Sequence, residues 1–186
     1  VPYGDKIAIY VPMMDTLGRY FWDPVAKKIT ADETWAARPL VEGQKALTAP
    51  TVIGDWVAIQ TNGLLSKDKA SSVVVFHKDD VSKTHSIFPM GELGFAGLSW
   101  APPKPGADPE NNMLYSADMG MKKVAGIKID PATGELSTAF VLDNITSTFQ
   151  PVFGPADKRV LVLTNVKLPV GIEPIPIALK TSGYTE

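Results

Sequence analysis

Residues 150–165 read QPVFGPADKRVLVLTN, and residues 49–62 read APTVIGDWVAIQTN. Each sets an apolar stretch before a short polar turn, then a β-branched run, then Thr-Asn. A looser version with a longer turn, GLSWAPPKPGADPENNMLYSAD, occupies residues 97–118. Short β-branched runs bounded by Gly, Pro and Asp read as strands. Self-similarity of this kind outranks local propensity, because a repeat dictates the architecture.

Each unit is followed by a further strand: SSVVVF from Ser71, KVAGIKID from Lys123 and PIPIALK from Pro174. At the start of the chain RYFWD, from Arg19, follows KIAIYVP, from Lys6, in the same way. These later strands end in hairpin signals, DPVAKK, KDDVSK, DPATGE and KTSGYT. Pro pre-sets φ in such turns, and Gly accepts positive φ. Weaker strands follow, as in HSIFPM from His85 and STAFVLD from Ser137. Four short strands about every 50 residues, joined by turns without helical periodicity, predict an all-β chain built of β-propeller blades. A sandwich also has short strands, but not this self-similarity.

FGPADKRVLVLTN and VAGIKIDPATGELS together resemble the repeat of YVTN-type propellers and of the wider quinoprotein-like and lactonase-like propellers. The resemblance spans essentially the whole chain and implies blades, without choosing an activity. Quinoprotein-type blades often carry a Trp shortly after the Asp-x-x-Thr-Gly turn; here Asp130, Thr133 and Gly134 lead to Leu136 and Phe140. The expected division is a blade part at 1–46, blades at 47–93 and 94–146, and a blade part at 147–186. Lettering strands a to d from the axis outward, the first part holds b, c and d, and the last a, b and c. That is about three to four four-stranded blades of a larger six- to eight-bladed ring. Lys6–Pro12 is then expected to lack an inner neighbour, and Pro174–Lys180 an outer one.

Such ends leave bare edges and apolar blade faces, which invite pairing with another chain. The expected partner is a second polypeptide, or the missing remainder of the same one, completing the propeller. Ile7, Ile9, Ile175 and Ile177 are the expected contact residues.

The 186 residues carry a formal net charge of −2, with Lys and Arg scattered. Nucleic-acid binding, which needs a basic stripe, is not expected. Nor is a membrane span, since no apolar run approaches the roughly 18 residues required. The chain has no cysteine, which excludes thiolate nucleophiles, Cys metal sites and disulfides and suits a periplasmic or secreted protein. It begins Val1-Pro2, as a processed chain or an internal piece would.

Asn62, Asp118 and Asn165 end the predicted b strands, with Pro12 in the first unit. Equivalent positions share one rim, where their oxygens could converge on Ca²⁺ or a substrate, or cap their own turns. Repetition favours capping, since a metal site needs one odd blade. Asp108 and Glu110 add oxygens in the loop PPKPGADPENN, the clearest departure from the repeat. That loop reads as a projecting, mobile decorated turn, or as a lid, Ca²⁺ loop or partner contact.

His77 and His85 flank the KDDVSK turn in the outer half of a blade and read as surface polar residues. Met13, Met14 and the strand aromatics, Trp22, Trp56 and Trp100 among them, read as packing. Asp32-Glu33 and Asp79-Asp80 read as solvated turn carboxylates. Neither a serine-nucleophile motif nor a phosphate loop is present. Three functions fit this pattern: a binding or scaffold subunit, a lactonase-like metal-dependent hydrolase, and a quinoprotein-like dehydrogenase with Ca²⁺.

Overall fold

The computed structural model describes residues 1–38, 44–45, 48–61, 72–87, 98–101, 113–118, 123–144, 148–153, 160–167 and 171–178. All regular structure among them is β. The strands are β1 (Pro2–Tyr3), β2 (Lys6–Met13), β3 (Thr16–Asp23), β4 (Lys28–Ala37), β5 (Thr51–Ile53), β6 (Trp56–Thr61), β7 (Ser72–His77) and β8 (Asp80–Ile87). There follow β9 (Leu98–Ala101), β10 (Met113–Asp118), β11 (Lys123–Ile129), β12 (Leu136–Leu142), β13 (Thr148–Phe153), β14 (Val160–Lys167) and β15 (Gly171–Ala178).

Strands neighbouring in sequence are neighbours in space, giving antiparallel sheets β1–β4, β5–β8, β9–β12 and β13–β15. These four meanders are blades of a β-propeller. Turn chemistry sets the hairpins. Asp23 Oδ1 accepts hydrogen bonds from the amides of Val25 and Ala26, and Asp130 Oδ1 accepts from those of Ala132 and Thr133. Those amides hold both carboxyls below the ordinary carboxylate pKa.

The first blade differs from expectation. Lys6–Pro12 does have an inner neighbour, because Pro2 and Tyr3 pair with Ile7 and Lys6. Two residues are too short to register as a strand in an apolar pattern, yet the amino terminus extends the edge by donating to the Ala8 carbonyl. Asp32-Glu33 is also corrected, since both lie in β4 rather than in a turn. Their strand alternates poorly, KITADETWAA, because most of it is exposed at the blade's outer edge. The loop PPKPGADPENN lies outside the described residues.

The core lies between blades. Leu17, Trp35 and Ala37 of the first pack on Val57, Ile59, Val74 and Phe76 of the second. Ile53, Trp56, Ala58, Val73 and Val75, from the second blade's other face, pack on Leu114, Ala125, Ile127 and Ile129 of the third. Burying each Leu, Ile, Val or Phe contributes about 1.5–3 kcal/mol. Both faces of β6 and β7 are therefore covered, which is why these strands read as nearly unbroken apolar runs.

Candidate functional site

Two joins between blades show how one blade meets the next, and the first blade has a further face that no described residue of another blade covers. At the first join Arg19, on β3, is only 7% exposed and reaches across to the second blade. Its guanidinium donates to the Lys78 carbonyl in the β7–β8 turn and, through Nε at 2.9 Å, to Asp32 on β4. It also lies against the rings of Tyr3, Phe21 and Trp35 at 4.9, 5.1 and 5.2 Å from their centroids. Tyr3 Oη donates to Asp79 Oδ1 of the same turn at 2.6 Å, which raises the phenol's pKa. Burial pushes the Asp32 carboxyl up, but hydrogen bonds from Thr34 and Arg19 outweigh it and hold the pKa below the usual value.

At the second join Trp56, on β6, does the equivalent work with an indole. Its Nε1 donates to the Pro131 carbonyl in the β11–β12 turn at 3.1 Å. Its ring lies over Gly134, where an added Cβ would stand 2.5 Å from Cζ2. The third blade has no Trp of its own after the Asp130–Gly134 turn, and a Trp from the preceding blade fills that space. His77 and His85 meet the same indole edge-on, with ring centroids 5.1 and 5.6 Å away. The two histidines thus stand around one Trp instead of standing apart on the surface.

Among the described residues nothing covers the face of the first blade turned away from the second. Register places Ile7 opposite Trp22 and Ile9 opposite Tyr20, and places Trp22 opposite Ile29. Ile7, Ile9 and Ile29 are 42%, 37% and 56% exposed. The β1–β2 turn pairs Tyr3 with Lys6, as the β5–β6 turn pairs Ile53 with Trp56. Counting from there, Ile7 and Ile9 hold the positions of Val57 and Ile59. Those two are 0% and 1% exposed under the first blade. Equivalent positions are thus sealed in one blade and bare in the other. Met13 and Met14, expected to pack, are exposed beside this face, and Met13 Sδ accepts from Tyr20 Oη at 3.5 Å.

A buried polar seam near the β6–β7 rim escaped the sequence reading. Gln60 donates through Nε2 to the Ala117 carbonyl at 3.3 Å and accepts from Ser116 Oγ at 2.9 Å. On the opposite face Ser72 Oγ donates to Gln44 Oε1 at 2.9 Å, and the Thr61 hydroxyl binds both. All five side chains are buried. Their hydrogen bonds bind to one another and to backbone, so the seam joins blades.

Of the residues considered for Ca²⁺, Asn62, Asp108 and Glu110 lie outside the described residues. Asp118 ends β10 and pairs with Lys123. Asn165 lies inside β14, one blade on, between Thr148 and Glu173. β14 runs two residues beyond the expected strand end. Among the described residues no three His, Asp or Glu side chains gather as a metal site. Ile175 and Ile177 lie on β15, opposite Leu163 and Leu161.

No family model matches the chain, and no curated protein matches it. Among solved structures it is similar to a protein from Lactobacillus plantarum, with a TM-score of 0.50 and 13% sequence identity. The likeness covers 90% of this chain and 52% of that one, so the chain spans about half the length of the structure it matches. At this identity the likeness concerns the fold. Among the described residues no helix is long and apolar enough to cross a membrane.

Proposed function

We propose that this propeller is an extracytoplasmic binding or scaffold subunit in which the open face of the first blade is covered by a second polypeptide or by further residues of the same chain. One observation carries the reading: Ile7 and Ile9 are exposed at positions whose equivalents, Val57 and Ile59, are sealed beneath a neighbouring blade. Exposed apolar surface flanked by aromatic residues is what a partner of complementary shape covers. The cysteine-free composition supports a periplasmic or secreted location, where thiols are at risk of oxidation.

The test is a two-part assay of purified protein. A photo-crosslinking residue at Ile9 should give a single defined protein adduct, while one at exposed Ser82 should not. Metal and absorbance analysis should show no stoichiometric Ca²⁺ and no quinone band. Bound Ca²⁺ or quinone together with lactone hydrolysis or alcohol oxidation would replace this reading with an enzymatic one.

A further inference from the structure

Strand alternation carries Ile7, Ile9, Val11 and Met13 of β2 onto the same face of the first blade. Register sets Val11 opposite Gly18 and Ile9 opposite Tyr20. Because Gly18 has no Cβ, the Met13 thioether folds back over it. An added Cβ there would stand 3.2 Å from Met13 Cε and 3.5 Å from Sδ. The sulfur thereby meets Tyr20 Oη, which donates to it at 3.5 Å. Met13 is nevertheless 46% exposed, and the adjoining Met14 is 52% exposed, whereas Met113 is 4% exposed in the core. The chain has no cysteine, so no thiolate competes with these thioethers for an oxidant, and exposure decides which of them reacts.

From this geometry we infer that Met13 is a reversible oxidation site, where a peroxide installs one sulfoxide epimer and turns the margin of the uncovered face polar. A thioether sulfur carries two lone pairs. The Tyr20 hydroxyl engages one of them, which leaves the other for attack from solvent. That pair attacks an oxygen of hydrogen peroxide, forming the S–O bond as the O–O bond breaks. The sulfur loses two electrons, and the second oxygen leaves as water with the displaced proton. A thiol-dependent reductase reverses the step by breaking the S–O bond, and the oxygen departs as water. Sulfoxides are chiral, and each epimer has its own class of reductase. Met14 has no hydrogen-bond donor on its sulfur among the described residues. Both its lone pairs are open, so it gives both epimers.

Oxidation replaces a weak acceptor with a polar sulfoxide oxygen. Covering that oxygen with apolar surface costs its desolvation, so the oxidised face is a poorer seat for an apolar neighbour. The reaction itself needs only this chain and a peroxide.

The test treats the purified chain with limiting hydrogen peroxide and follows each methionine by peptide mapping. Met13 and Met14 should oxidise at least roughly tenfold faster than Met113, in line with exposure. Digestion of the products with the two reductase classes should show one epimer at least about fivefold enriched at Met13 and near-equal epimers at Met14. Tyr20→Phe frees the second lone pair and should bring Met13 to near-equal epimers. Gly18→Ala crowds the thioether off Tyr20 and should do the same with the hydroxyl still present. In a Met14→Leu background, the oxidised chain should elute earlier from a hydrophobic-interaction column than the reduced one.

Oxidation of Met13 no faster than that of Met113 overturns the inference. So do equal epimers at Met13 in the unaltered chain, a bias that survives both substitutions, or equal column retention of the two forms. None of these readings involves a partner. Their failure leaves the docking role standing, and failure of the Ile9 crosslink leaves the oxidation site standing.

Discussion

Replacing Gly134 with alanine tests the claim that blades are fastened by a side chain inserted over the next blade's turn. Gly134 has φ +77, and its missing Cβ is where the Trp56 ring sits, 2.5 Å from Cζ2. Left-handed backbone costs an alanine about 1–2 kcal/mol. The collision adds an overpacking cost of about 1–3 kcal/mol. Lifting the indole also breaks its bond to the Pro131 carbonyl, worth about 0.5–1.5 kcal/mol net. The expected loss is about 2.5–6.5 kcal/mol, a large share of the about 5–15 kcal/mol typical of a whole domain. Gly54 supplies the control, because it has φ +58 with nothing within 4 Å of an added Cβ. Gly54→Ala carries the backbone strain alone and should lose about 1–2 kcal/mol. Urea unfolding followed by Trp fluorescence measures both, with m-values compared to confirm that the native state is unchanged. Equal losses at the two positions would refute the wedge, since the difference between them isolates the indole contact.

Arg19→Met should destabilise by about 1–3 kcal/mol, because it takes the donor from the half-buried Asp32 carboxylate and from the Lys78 carbonyl; thermal melting checks this, and Arg19→Met with Asp32→Asn should recover part of the loss. Asp32 has a folded pKa below its unfolded value, so its contribution is full above about pH 4 and is lost as pH falls through the folded pKa. Asp23, Asp55, Asp80 and Asp130 shift in the same direction, so Asp32→Asn should reduce, without abolishing, the slope of stability against pH in that acid range. Gln60→Leu removes the acceptor for Ser116 and the donor for the Ala117 carbonyl, and should cost about 2–4 kcal/mol through two stranded polar groups, seen as a lower urea midpoint with unchanged circular dichroism.

What the sequence disclosed followed from the range of the interaction. Strands and c–d turns are local: Val160–Lys167 carries its own apolar, β-branched run, and Asp130 binds amides two and three residues away. The joins are not local. Trp56 finds its acceptor 75 residues on, and Arg19 finds Lys78 at a separation of 59. Nothing near either residue announces its partner. The seam was missed for another reason. Gln60, Thr61, Ser72 and Ser116 look like polar strand ends, and strand ends are ordinarily wet, but strands sandwiched between two blades are covered to their tips. The open face was legible in part: the apolar alternation at Ile7 and Ile9 was visible, while the comparison with Val57 and Ile59 needed the pairing register.

The joins also show why no motif marks them. A tight turn between β7 and β8, or between β11 and β12, leaves carbonyls that the hairpin itself does not satisfy, and a buried carbonyl without a donor costs about 1–3 kcal/mol. The preceding blade supplies the donor, Arg19 for Lys78 and Trp56 for Pro131. Any flat, donor-bearing side chain long enough to reach can serve, so guanidinium and indole replace one another between joins. Arg19 needs Asp32 to balance its charge, whereas Trp56 needs a glycine beneath its ring. Each choice of donor therefore constrains a different second residue. The contacts that fix one blade against the next therefore couple positions far apart in sequence, which leaves the repeat visible in the strands and nearly silent at the joins.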